Sequence, residues 1–76
     1  MQFALEYTDT FGGEANYSWV IRKEFSVPDP CTDRMVVLRA KQELGLTGAR
    51  CARDSWGDTI VLRPVGMCQV IFIDAI

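Results

Sequence analysis

The sequence predicts an α+β domain, a small antiparallel sheet with one helix packed on it, in the order ββαβββ. Three observations predict it. The chain opens with apolar residues alternating at period two, the mark of a half-buried strand. One helical pattern bounded by capping residues lies in the middle, and three short apolar runs separated by Gly, Asp and Pro turns follow it. Consecutive strands with short connections pair antiparallel by default, and a single helix laid on such a sheet is a stable two-layer solution.

Each element has its own reason. Gln2–Thr8 sets Phe3, Leu5 and Tyr7 on one side and Ala4, Glu6 and Thr8 on the other. Asp9–Glu14 carries turn chemistry around Gly12 and Gly13, and Asn16–Val27 is a second strand rich in aromatic and β-branched residues. Pro28-Asp29-Pro30 ends that strand, because proline removes a ladder donor. Thr32 or Asp33 caps a helix running to about Leu44, with Met35, Val36, Leu38, Ala40 and Leu44 as its apolar face. Gly45 then takes the left-handed position past the helix end, with Leu46 as the contact that follows it. Ala49–Arg53 and Thr59–Arg63 form a hairpin around the loop Asp54–Asp58, and Met67–Ile73 closes the chain. The final run Val70–Ile73 is apolar on both faces, which marks a central strand or one capped by another subunit.

Composition narrows the function. The 76 residues make one domain, residues 1–76, and apolar residues at 49% with charged residues at 24% exclude intrinsic disorder. A net charge of −2 and a pI near 4.9 disfavour a general nucleic-acid-binding role. No apolar stretch approaches the roughly 18 residues of a membrane span, and the first residues do not read as a signal peptide. Three widely spaced cysteines, Cys31, Cys51 and Cys68, are an odd number without CxxC pairing. They read as reduced thiols of a cytoplasmic protein, with Cys51 and Cys68 behaving as small buried hydrophobes.

Catalytic chemistry has little to stand on. The chain contains no histidine, which removes the usual Ser/His and Cys/His nucleophile–base pairs. Gly12-Gly13 lacks the lysine of a phosphate-binding loop, and Asp54 with Asp58 flanks an ordinary turn. No metal-ligand spacing is present, so no cofactor is expected.

Binding fits better. The first thirty residues carry five acids against two bases, and Asp9, Phe11, Glu14, Tyr17 and Trp19 set aromatics beside acids around a glycine loop. Aromatic residues dominate interface hot spots because they bury large areas at low entropic cost. The plainer reading of Tyr17 and Trp19 is that they are core; Phe11 in its loop reads as exposed. Glu24 adds an acid on the second strand, and Trp56 in the second hairpin loop either folds over the sheet edge or meets a partner. Against this stands an arginine patch of Arg50, Arg53 and Arg63 on adjacent strands, suited to phosphate. A homodimer formed through the apolar last strand is the remaining alternative.

The segment from Tyr7 to Val20, the stretch Leu44–Gly48, Gly57-Asp58, and Leu62-Arg63-Pro64 with Gly66 and Cys68 resemble a group of short proteins encoded by bacteriophages and integrated mobile elements. Small acidic proteins of this kind include anti-CRISPR inhibitors. The resemblance implies a non-enzymatic protein that binds and inhibits a host protein complex such as a CRISPR effector. Its acids Asp9, Glu14 and Glu24 would then meet Arg and Lys groups that otherwise hold nucleic-acid phosphates.

Overall fold

Alternation along β1 (Gln2–Phe11) and β2 (Glu14–Ser26) produces a long antiparallel hairpin, pairing Phe3 with Phe25 and Tyr7 with Ile21. The computed structural model describes residues 1–76. Helix α1 (Asp33–Glu43) follows, then β3 (Cys51–Trp56), β4 (Thr59–Pro64) and β5 (Gln69–Ala75). All five strands form one antiparallel sheet in the spatial order β2-β1-β5-β4-β3, so ββαβββ with one helix on the sheet is the fold.

The turns are shorter than the sequence suggests. The first loop reduces to Gly12-Gly13, both with positive φ (63° and 84°), and the strands run on through Thr10, Phe11 and Glu14. The second reduces to Gly57-Asp58, so Asp54, Ser55 and Trp56 belong to β3, which starts at Cys51 rather than Ala49. Backbone pairing extends each strand as far as the turn glycines allow.

One face of the sheet holds the core. Phe3, Leu5, Tyr7, Phe25, Ile60, Leu62, Ile71 and Ile73 pack there against Val36 and Ala40 of the helix. Phe3 and Phe25 stack with ring centres 5.6 Å apart. Thr32 is the N-cap, its hydroxyl accepting from the Met35 N–H at 3.3 Å. At the other end Gly45 donates to Gln42 and Leu46 to Lys41, the paired bonds of a Schellman motif, and Leu46 packs against the core.

Three expectations need correction. Met35 and Leu38 are exposed, because the helix meets the sheet along the narrow stripe Val36, Ala40 and Leu44, widened by Val37. Tyr17 and Trp19 are not core: they are 49% and 38% exposed. Cys68 lies exposed in the β4–β5 turn, whereas Cys51 does pack partly against the core. The central-strand reading of Val70–Ile73 holds, since β5 is paired by β1 on one side and β4 on the other. Its two-sided apolarity follows from that position, with both edges paired within the sheet.

The helix stripe yields a stability prediction. Ile71 is fully buried, so Ile71→Ala should cost about 2–5 kcal/mol in urea unfolding. Leu38→Ala should stay within about 0.5 kcal/mol, as surface substitutions do. Comparable losses at both positions would mean that the helix is seated on another face.

Candidate functional site

One helix covers one face, and the opposite face has no such cover. Its side chains come in rows fixed by register. Glu24, Ala4 and Asp74 are cross-strand neighbours on β2, β1 and β5, and the row continues through Thr59, bonded to Asp74, to Trp56. The next row runs Arg22, Glu6, Phe72, Val61 and Asp54. Tyr17 joins the first row and Arg22, Glu6 and Phe72 of the second in lining an open groove of ≈ 660 Å³.

Aromatic groups wall the groove on two sides. Trp56 and Phe72 lie 5.7 Å apart between ring centres at 47°, and Trp56 remains 51% exposed. The Trp56 indole N–H donates to Asp54 at 3.2 Å, which fixes the ring over the sheet. Tyr17 stands on the other side, its hydroxyl donating to Glu6 Oε1 at 2.6 Å. Glu6 Oε2 takes Arg22 Nε at 3.0 Å. The Tyr17 hydrogen bond, ahead of the contribution from Arg22, lowers the Glu6 pKa, and the same bond raises that of Tyr17. Glu6 and Arg22 thus neutralise each other, while Glu24 is exposed and makes no ion pair. Lys23 turns to the helix side, where its ammonium donates to the Glu43 carbonyl at 3.0 Å.

A bulge in β2 puts Tyr17 there. Between the pairs Thr8–Val20 and Thr10–Ala15, β1 has the single residue Asp9 where β2 has four, Asn16 to Trp19. Tyr17 adopts φ 56°, a left-handed conformation rare for a bulky residue. Asp9 fills the bulge. Its carboxylate accepts from Asn16 Nδ2 at 2.9 Å, the Ser18 N–H at 2.9 Å and the Ser18 hydroxyl at 2.6 Å. Bulges re-aim side chains, and this one sends Tyr17 and Trp19 to opposite faces. Trp19 packs edge-on against Tyr7, on the helix side, with ring centres 4.9 Å apart.

The hairpin tip covers the far end of the open face. Arg63 of β4 donates to the Gly13 carbonyl at 3.1 Å, and Val61, Val70 and Thr8 on this face are fully buried although no helix lies over them. Phe11, at the tip, is 80% exposed beside Glu14.

Of the residues singled out in the sequence, Tyr17, Glu24 and Trp56 meet in the groove. Phe11 and Glu14 sit together at the hairpin tip, Asp9 is occupied inside the bulge, and Trp19 faces the helix side. The arginines do not gather. Arg53 bridges to Asp33 at 2.7 Å on the helix side, while Arg63 lies on the open face. Sequence reasoning missed Phe72, Asp74 and Ala4. The signal was available in strict alternation, which puts Phe72 and Asp74 opposite Ile71 and Ile73.

Asp9 supplies the pH dependence. Hydrogen bonds from the Ser18 hydroxyl and then the Asn16 amide, with the Ser18 N–H, lower its pKa from 3.8 to about 2. A depressed carboxylate stabilises the fold fully above its unfolded pKa and loses that contribution as pH falls through the folded value. Parent stability should therefore fall more steeply than that of Asp9→Asn between about pH 4 and pH 2. Carboxyl NMR should place the Asp9 midpoint near 2. An ordinary midpoint would contradict the closed bulge.

Comparison of the chain with protein-family models, with characterised proteins and with solved structures finds no match.

Proposed function

We propose that this chain is a non-enzymatic binding protein of a phage or mobile element that inhibits a host protein complex by docking on one of its basic surfaces, in the manner of anti-CRISPR inhibitors. The observation that carries this reading is the open sheet face. It is lined by Tyr17, Trp56 and Phe72 together with Glu24 and Asp74, and its one arginine near the groove, Arg22, is neutralised by Glu6. Flat aromatic surface on a rigid sheet gives anchors with little conformational freedom to lose. Unpaired acids beside those anchors speed encounter with a positively charged partner and disfavour nucleic acid. Such a surface competes with the phosphates that a basic host surface otherwise binds. The exposed Phe11 and Glu14 at the hairpin tip extend the contact beyond the groove.

The arginine-patch alternative loses support from the opposite facing of Arg53 and Arg63. Each is also engaged within the chain, by Asp33 and by the Gly13 carbonyl.

A titration against the host complex recovered with tagged protein tests the reading. Trp56→Ala should weaken binding by about thirtyfold, near 2 kcal/mol, the scale of an interface hot spot. Asp58→Asn should leave affinity unchanged, and nucleic acid should compete with the parent protein for the complex. Parent-like binding by Trp56→Ala would overturn the proposal, and loss on substituting Arg50 and Arg63 would then favour the arginine patch.

A further inference from the structure

We infer that the groove receives an arginine side chain of the partner protein, seated over Ala4 between Glu24 and Asp74 and stacked toward Trp56 and Phe72. The inference rests on the open face being the docking surface and names what enters it.

The register makes the seat. Ala4 pairs with Glu24 on one side and Asp74 on the other, so a methyl group lies between two carboxylates in one row. Strands about 4.8 Å apart put those two acids on backbones about 10 Å apart, with a shallow notch between them. Neighbouring strands at these positions carry longer side chains, so only Ala4 leaves that space. Asp74 Oδ1 is occupied by the Thr59 hydroxyl, which fixes the carboxylate, while Oδ2 takes no hydrogen bond. Glu24 is exposed and unpaired. Two negative charges therefore face the notch, while the two cationic residues of the groove, Arg22 and Lys23, are held by Glu6 and by the Glu43 carbonyl.

Arg22 does not fill the role, since its guanidinium is held on Glu6 in the adjacent row. It also illustrates the chemistry: on this face a carboxylate fixed by an aromatic hydroxyl already binds a guanidinium. Arginine suits the notch better than lysine. Its planar guanidinium stacks on aromatic faces and presents donors in a fork to carboxylates on both sides, whereas an ammonium is a compact, strongly hydrated point charge. Trp56, tied down by Asp54 and packed on Phe72, is the ring positioned for that stacking.

The test uses the full chain with Trp19→Phe, which leaves Trp56 as the one indole. Capped Gly-Arg-Gly is titrated against it while Trp56 fluorescence is followed, with the citrulline and lysine tripeptides as comparators. The expected result is a saturable change with the arginine peptide and binding at least about tenfold weaker with citrulline, equivalent to about 1.4 kcal/mol. Glu24→Gln with Asp74→Asn should reduce the arginine response by a similar factor, and Ala4→Ile should abolish it by filling the notch, with circular dichroism confirming the fold. No saturation at millimolar peptide, or equal responses to arginine and citrulline, would overturn the site. Equal responses to arginine and lysine would overturn the choice of arginine. If the host complex binds Ala4→Ile as it binds the parent, the notch is wrong while the docking reading stands. If the peptide binds as expected but Trp56→Ala leaves the host complex bound, the notch stands and the docking reading fails.

Discussion

Everything in this fold depends on the pairing of the two chain ends. Phe3 through Asp9 run antiparallel to Gln69 through Ala75, so the first and last strands lie side by side in the middle of the sheet. This contact joins the β1–β2 hairpin to the β3–β4 hairpin, which otherwise share no ladder. It also closes nearly the whole chain into one loop, an entropic cost that two buried rows, Leu5–Ile73–Ile60 and Tyr7–Ile71–Leu62, must offset. Once the sheet has five strands, about 19 Å across, a helix of eleven residues, about 16 Å long, can cover only one side. The uncovered face follows from arithmetic.

The two ends of that face are treated differently. At one end the long hairpin bends back, Arg63 holds its tip at Gly13, and Val61 and Val70 disappear from solvent. At the other end the face stays open, and aromatic rings and carboxylates stand there. The bulge around Asp9 connects the two ends. It allows β2 to bend and at the same time aims Tyr17 into the groove through a backbone conformation that a tyrosine adopts only under constraint. The three hydrogen bonds from Asn16 and Ser18 to Asp9 are that constraint.

The element order, the helix caps and the antiparallel sheet were legible because each rests on local chemistry. Alternation in Gln2–Thr8, Thr32 before the helix and Gly45 after it are visible without tertiary information. The helix face was misread at Met35 and Leu38, since an apolar residue in a helix does not announce whether the sheet extends beneath it. Asp9 was read as a contact residue because nothing in the sequence reports a bulge; three additional residues in one strand become visible only once its partner is known. Alternation separates Phe72 and Asp74 from Ile71 and Ile73, but the run Val70–Ile73 does not say which set faces the helix. Uninterrupted apolar character conceals which side chains face the helix and which face the groove until the neighbouring strands supply the register. The groove was thus legible only in part, through Tyr17, Glu24 and Trp56, and its floor at Ala4 was not.

On the proposed reading, the face without a helix is the working surface. Hydroxyl-radical footprinting of the protein, free and bound to a partner captured with it, reads side chains individually and so separates the faces. Binding should protect Trp56, Tyr17 and Phe72 on the open face, and leave Met35 and Leu38 on the helix as reactive as in the free protein. Protection of Met35 and Leu38 with Trp56 and Tyr17 unchanged would place the partner on the helix side and contradict the account.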